Sequence, residues 1–300
     1  MAVATVRKAT WRDYVVLTKP KVISLLLLTT IGAMFIAAQG FPGWVALIGL
    51  TLGGAMSAGA AGVFNMVYDN DIDGLMKRTS LRPTVTQVVS TRNALVFAST
   101  LTVTSFVVIW AASNLLAALL SWAGIAFYVL IYTIWLKRTT WQNIVIGGVA
   151  GAIPPLVGWA AVTGELSLLA WCLFALVFLW TPVHFWALAL MIKDDYAVVG
   201  VPMAPSVIGE RATVMQMLMY AALTIILTVI PFALQEFGLA YFVAALALNL
   251  VLALRVLRLF ALARAGTPVD RATALPVYKY SMLYLALIFL AMALDRALFV

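Results

Sequence analysis

The stretch from Asn65 to Pro83, reading NMVYDNDIDGLMKRTSLRP, carries the clearest chemical signal in the chain. Asn65, Asp69 and Asp73 are spaced so that, on a helix, each step of four residues drifts only about 40° around the axis. One amide and two carboxylates therefore share a face, whereas Asp71 points elsewhere. Carboxylates this close repel each other and cost about 2.5 to 3.5 kcal/mol each at membrane depth. The pattern predicts a cation between them.

Magnesium suits these oxygen ligands, because it is usually held by one or two carboxylates and completes its shell with waters and substrate phosphates. Lys77, Arg78 and Arg82 follow at once. A metal ion beside basic side chains can neutralise the charge that develops on a diphosphate leaving group. The alternative is an acidic helix end followed by a solvated basic loop.

The composition indicates an integral membrane protein. Of the 300 residues, 65% are hydrophobic and only 10% are charged, and the mean hydropathy is +1.07. A soluble protein of this length would expose far more charge. The lone Cys172 excludes an intramolecular disulfide. We expect residues 1–300 to form a single transmembrane domain, with residues 1–20 as a cytoplasmic N-terminal segment.

Apolar runs of spanning length predict an all-α, polytopic fold with nine transmembrane helices. Boundaries of such runs are approximate. The predicted ranges are 21–40, 43–66, 92–112, 115–136, 142–163, 167–192, 211–234, 237–260 and 278–298.

The basic residues support this number of crossings. With the N-terminus in the cytoplasm, every Lys and Arg except Arg296 falls in the N-terminal segment, in an even-to-odd connection or in the adjoining end of a span, as the positive-inside rule requires. The C-terminus is then expected on the opposite side. The net charge of +8 reflects this orientation and an anionic ligand, and gives no reason to expect nucleic acid as a partner.

A second polar group ends the sixth span, in TPVHFWALALMIKDDYAVVGVP. His184 and Asp195 are about three turns apart and share a face if the helix continues. Asp194 and Asp195 occupy the position equivalent to the first acidic cluster, which suggests two clusters facing one cavity. A second solvated helix end, and a histidine hydrogen-bonded within the bundle, are the alternatives.

Lys137 and Arg138 close the fourth span in YTIWLKRTTWQN. Positive-inside anchoring explains them, and a role in holding diphosphate is the alternative.

The pattern NxxxDxxxD from Asn65, followed by MKRTxxRP, resembles the intramembrane prenyltransferases of the UbiA type. The segments around Lys137 and His184 narrow the resemblance to the haem-modifying branch, and it covers nearly the whole chain. It implies nine helices around a central cavity capped by cytoplasmic loops, in a bacterial plasma membrane. The implied reaction uses Mg²⁺ and joins the farnesyl group of farnesyl diphosphate to a vinyl group of protohaem IX, with addition of water. Haem-handling membrane proteins are candidate partners.

The resemblance also assigns roles to residues. The wider family carries a second DxxxD, whereas Ile192 and Tyr196 stand at the corresponding places here. We assign His184 to the porphyrin, because a neutral imidazole is a common ligand of haem iron. The expected metal ligands are Asn65, Asp69 and Asp73. The expected catalytic residues are these three together with Arg78, Lys137 and Arg138. The expected substrate-binding residues are His184, Asp194, Asp195, Lys77 and Arg82.

Two other functions fit parts of the pattern. A prenyltransferase for another aromatic acceptor, such as a quinone precursor, would need the same diphosphate site. A membrane transporter would also place polar residues within the bilayer. The acids here cluster at one membrane face rather than at its midplane, which favours an enzyme.

Overall fold

A computed structural model describes residues 7–298, which form helices and no β-strand. Nine helices within this range are long and apolar enough to cross a membrane, which confirms the predicted all-α, polytopic fold. Residues 1–6 of the predicted N-terminal segment and the C-terminal Val300 lie outside the described residues. Numbered first to ninth, the spanning helices are Pro20–Ala38, Trp44–Tyr68, Thr91–Ala112, Leu115–Thr139, Asn143–Thr163, Leu168–Met191, Glu210–Ala233, Leu239–Arg264 and Arg271–Leu298.

The ninth helix begins well before its predicted start at residue 278. A reciprocal pair of hydrogen bonds starts it: the Thr273 amide donates to Asp270 Oδ1 over 3.0 Å, and the Asp270 amide donates to Thr273 Oγ1 over 3.0 Å. This is a capping box, which stabilises a helix N-terminus whatever the hydropathy of the first turns. Hydropathy therefore located only the apolar part of this helix. The other boundaries agree with the prediction to within a few residues.

Short helices lie outside the membrane-spanning elements, at the end of the bundle where the second, fourth and sixth helices finish. One, Trp11–Leu17, precedes the first span. Two more, Lys193–Val198 and Ala204–Val207, lie between the sixth and seventh spans. Because successive spans alternate in direction, the polar segments singled out in the sequence all meet at this end.

The fifth and sixth helices are the most buried spans. The fifth packs against the first, fourth and sixth helices, and the sixth also packs against the seventh and ninth. Small residues permit this close approach. A Cβ atom at Gly158 of the fifth helix would collide with the backbone of Thr30 in the first, whereas a Cβ at Gly151 would meet nothing within 4 Å.

We expect Gly158→Ala to destabilise the bundle, because the added methyl group must push the first helix away from the fifth. Overpacking of this kind costs about 1 to 3 kcal/mol. The thermal unfolding midpoint of the detergent-solubilised protein should fall, while Gly151→Ala, in the same helix, should leave it unchanged or raise it. Equal midpoints for the two variants would contradict the packing described here.

Candidate active site

The acidic segment lies where the second helix ends. That helix finishes at Tyr68, and a single turn, Asn70–Asp73, follows the junction residue Asp69. The Asp69 amide donates to the Asn65 carbonyl and the Asp73 amide to the Asp69 carbonyl, both over 2.9 Å, so the backbone keeps the helical spacing of four residues. Asn65, Asp69 and Asp73 are 4%, 0% and 1% exposed. The structure thus buries the three aligned side chains together.

Two cations from the end of the fourth helix reach this segment. Lys137, itself buried, donates to Asp69 Oδ2 over 2.5 Å. Arg138 Nη2 lies 3.5 Å from Asp69 Oδ1. The Arg138 guanidinium also donates two hydrogen bonds, of 2.7 and 2.8 Å, to the exposed carboxylate of Asp71. It lies over the Tyr68 ring. Asp71 therefore points away from Asp69, as the spacing predicts.

The loop after the acidic turn contributes a third cation. Arg82 forms an ion pair with Asp73, and Thr79 donates to the Asp73 carbonyl over 2.8 Å. Lys77 and Arg78 are exposed and form no ion pair within residues 7–298. Of the three basic residues predicted to assist the site from this loop, the structure brings Arg82 into contact with it.

A π-helical segment positions the residues of the fourth helix. From Phe127 to Leu136 this helix is wound with i→i+5 hydrogen bonds, a rare geometry that is frequent at functional sites. The wider turn directs Thr133 and Lys137 towards the second helix, where Asn65 Nδ2 donates to Thr133 Oγ1 over 3.2 Å and to Asp69 Oδ2 over 2.7 Å. The sequence does not identify Thr133 as a site residue, because no composition or spacing distinguishes a π-helix from an α-helix here.

Lys19 is a second site residue that residue types and spacing alone do not identify. It precedes the first span in a left-handed conformation (φ 57°) and donates from Nζ to Asn65 Oδ1 over 2.5 Å. Desolvation, together with the nearby charges of Arg82 and Lys137, lowers the pKa of Lys19 to about 7. In sequence, Lys19 reads as one more anchoring cation at a membrane boundary.

The second polar group is arranged differently from the prediction. Asp194 is exposed and Asp195 half-buried, and neither forms a hydrogen bond or ion pair in the part of the chain that the structure describes. Tyr196 instead faces the first cluster. Burial raises the pKa of the Tyr196 phenol, Arg78 lowers it, and Asp69 raises it. Of the residues in this short helix, a tyrosine therefore interacts electrostatically with the site.

The prediction that His184 and Asp195 share a helical face is wrong. The sixth helix ends at Met191, and Ile192 adopts φ −129°, ψ 24° before the separate turn Lys193–Val198. The sequence suggests a continuous helix because nothing in MIKDD is a strong helix breaker.

His184 lies instead in an aromatic sandwich between the sixth and ninth helices. Its ring stacks on Trp180 and on Tyr278, with centroids 4.6 and 4.8 Å apart. Nδ1 lies 2.8 Å from Ser281 Oγ, and the Ser281 hydroxyl donates to the Tyr278 carbonyl over 2.8 Å. With the serine proton on that carbonyl, Nδ1 is assigned as the protonated donor to Ser281 Oγ. This leaves Nε2 as the nitrogen with a free lone pair.

The donor set fits a magnesium ion. Within residues 7–298 no three His, Cys, Asp or Glu side chains form a metal cluster, so only two buried carboxylates are offered. Asp69 Oδ1 is buried and accepts no hydrogen bond there. Two carboxylates, one of which has an oxygen that accepts no hydrogen bond, and an adjoining amide match the few protein ligands that Mg²⁺ takes when phosphates complete its shell.

Residues 26–283 match the model of the UbiA prenyltransferase family, and the chain belongs to that family. Solved structures share the fold. A structure of digeranylgeranylglyceryl phosphate synthase is 17% identical with a TM-score of 0.77, and the alignment covers 96% of this chain and 98% of that one. A UbiA homologue from Archaeoglobus fulgidus bound to GPP and Mg²⁺ is 18% identical with a TM-score of 0.67, over 93% and 99% of the two chains.

Two curated relatives are far more similar to this chain in sequence than these solved structures are. A protoheme IX farnesyltransferase from Thermus thermophilus is 61% identical over 289 residues, which are 96% of this chain and 46% of the relative. One from Deinococcus radiodurans is 56% identical over 296 residues, 96% of this chain and 94% of the relative. The chain therefore spans about half the length of the first relative and nearly all of the second.

We expect Asp69→Asn and Asp73→Asn each to reduce turnover by about a hundredfold or more, because each removes a buried charge from the candidate site without changing side-chain size. Asp71→Asn should have a milder effect, since that carboxylate is exposed and bonds only Arg138. Steady-state turnover of purified, correctly inserted variants measures this. Equal losses in all three would mean that the buried face does not define the site.

Proposed function

We propose that this chain transfers the farnesyl group of farnesyl diphosphate to a vinyl group of protohaem IX, with addition of water and release of diphosphate. The observation that carries the proposal is the buried face of Asn65, Asp69 and Asp73, surrounded by cations from three other segments. The family membership and the relatives named protoheme IX farnesyltransferase support this choice of substrates.

The cations outnumber the two buried carboxylates, which suits an anionic diphosphate. Arg82, Lys137 and Arg138 can turn their N–H groups from the carboxylates to diphosphate oxygens, and Lys19 can do so from the Asn65 amide oxygen. Asp69 and Asp73, with Asn65 beside them, would hold magnesium. When bound, Mg²⁺ would neutralise charge developing on the leaving group. The chain's residues thus bind and orient the diphosphate. The allylic C–O bond then breaks, and its electron pair leaves with the diphosphate.

The farnesyl cation then adds to a vinyl carbon of the porphyrin, and water quenches the adduct cation with loss of a proton. Aromatic faces stabilise such cations and exclude bulk water. Tyr128 and Tyr132 on the π-helical segment, together with Tyr196, lie within electrostatic range of Asp69 and supply such faces. No nucleophilic side chain is required.

We further propose that His184 binds the porphyrin through iron. Ligating histidines commonly donate their other ring N–H to an oxygen, which fixes the tautomer. The hydrogen bond from Nδ1 to Ser281 Oγ supplies this second contact and leaves Nε2 for the metal of the substrate.

Purified protein incubated with haem, farnesyl diphosphate and Mg²⁺ should yield a haem product heavier by one farnesyl group plus one hydroxyl group, measured by mass spectrometry. The product should fail to form with EDTA or with Asp69→Asn. A prenylated product from a quinone precursor, with none from haem under matched conditions, would assign the other acceptor class.

We expect His184→Ala to weaken haem binding and to shift the Soret band, because the iron loses an imidazole ligand. Binding of farnesyl diphosphate with Mg²⁺ should stay near the wild-type value. Ser281→Ala keeps the imidazole and serves as the matched control, which should still bind haem. An unaltered haem spectrum and affinity in His184→Ala would remove the ligand assignment.

We propose that the active-site end of the bundle faces the cytoplasm, because every Lys and Arg except Arg296 lies towards that end or before the first span. In a Cys172→Ala background, a thiol at Glu165 should react with an impermeant maleimide added to intact cells. A thiol at Gly74, where a Cβ makes only an ordinary contact with Val85, should react only after lysis. The reverse labelling pattern would invert the topology.

A further inference from the structure

A basic groove lies on the outer surface of the eighth and ninth helices, away from the candidate active site. Its volume is about 370 Å³, and it is lined by Arg255, Leu275, Pro276, Lys279, Tyr280 and Leu283. The ninth helix presents Tyr278 and Ser281 to His184 on its inner side, and Lys279 and Leu283 are exposed on its outer side. The groove therefore opens towards lipid.

The two cations lie at the depth of phospholipid head groups. Arg255 is about 24 Å along the axis from Leu239, where the eighth helix starts, and Lys279 is about 28 Å from Leu298, where the ninth ends, at a rise of about 1.5 Å per residue. The hydrocarbon core is about 30 Å thick. Both side chains thus emerge just inside the boundary at the active-site end, within reach of the interface.

No acidic residue neutralises these charges. Among residues 7–298, neither Arg255 nor Lys279 has a carboxylate within 4.0 Å. The Arg255 guanidinium lies 5.1 Å from the centroid of the Tyr280 ring, and the Tyr280 hydroxyl is held by the Leu248 carbonyl at 2.8 Å. Arg255 Nη1 donates to the Pro276 carbonyl over 3.5 Å, so the arginine is held over an aromatic face with its remaining N–H groups available to an anion.

We propose that this groove binds an anionic phospholipid, with Arg255 and Lys279 holding its phosphate and Leu275 and Leu283 contacting an acyl chain. Basic pockets between transmembrane helices suit such head groups. A phosphate bound from solution would need the same cations, but it would gain nothing from the apolar walls that continue into the bilayer.

The test compares lipid retention in full-length protein purified from nanodiscs that contain phosphatidylglycerol and phosphatidylcholine. Each interfacial cation contributes about fivefold to anionic-lipid affinity, so Arg255→Gln/Lys279→Gln should weaken phosphatidylglycerol retention about thirtyfold, measured by native mass spectrometry. The matched control Arg92→Gln/Arg211→Gln removes two exposed cations from the same end of the bundle and should retain the lipid.

Arg255→Lys/Lys279→Arg conserves both charges and should keep the preference, which guards against a variant that simply misfolds. Equal retention of the two lipids by the wild-type protein, or undiminished retention by the Gln double variant, overturns the proposal. Displacement of phosphatidylglycerol by millimolar inorganic phosphate, with the same dependence on Arg255 and Lys279, would assign the groove to a soluble phosphate and also overturn it.

Discussion

Burial of two carboxylates at the end of one membrane helix is the constraint on which the rest of the site depends. Asp69 and Asp73 are almost fully buried, and an uncompensated buried charge costs several kcal/mol. Their positive partners come from the loop after the second helix and the end of the fourth, and Lys19, before the first helix, binds the adjoining Asn65. The helices that supply them must therefore meet at one end of the bundle.

At the opposite end of the bundle, a buried aspartate has a structural role. Asp295 is also buried, but it accepts hydrogen bonds from the Gly238 and Tyr241 amides at 2.6 and 3.0 Å, one to each carboxylate oxygen. It caps the start of the eighth helix. Asp69, by contrast, keeps one buried oxygen that accepts no hydrogen bond in the described chain. That oxygen, which has Arg138 Nη2 at 3.5 Å but accepts no hydrogen bond, distinguishes a carboxylate that can bind a further ligand from one that ties helices together.

Hydrogen bonds within the membrane fix the half of the bundle that carries no catalytic side chain. Asn249 donates to Thr228 Oγ1 and accepts from the Tyr284 hydroxyl, both over 2.8 Å, which links the seventh, eighth and ninth helices. Between the first and fifth helices, small residues instead allow close packing that fixes the two helices together. A rigid frame of this kind holds the ninth helix against the sixth, and with it the stacked ring of His184.

The amino-acid sequence by itself determined the number of spans, their approximate ends and the face formed by Asn65, Asp69 and Asp73. These depend on hydropathy and on helical periodicity, which are local properties. Tertiary structure alone decided that Lys19 and Thr133 join the site, that Tyr196 rather than Asp194 or Asp195 faces it, and that His184 is held by Ser281. Each of these depends on contacts between residues distant in sequence, or on local backbone changes such as the π-helical segment and the break at Ile192, which residue spacing does not reveal.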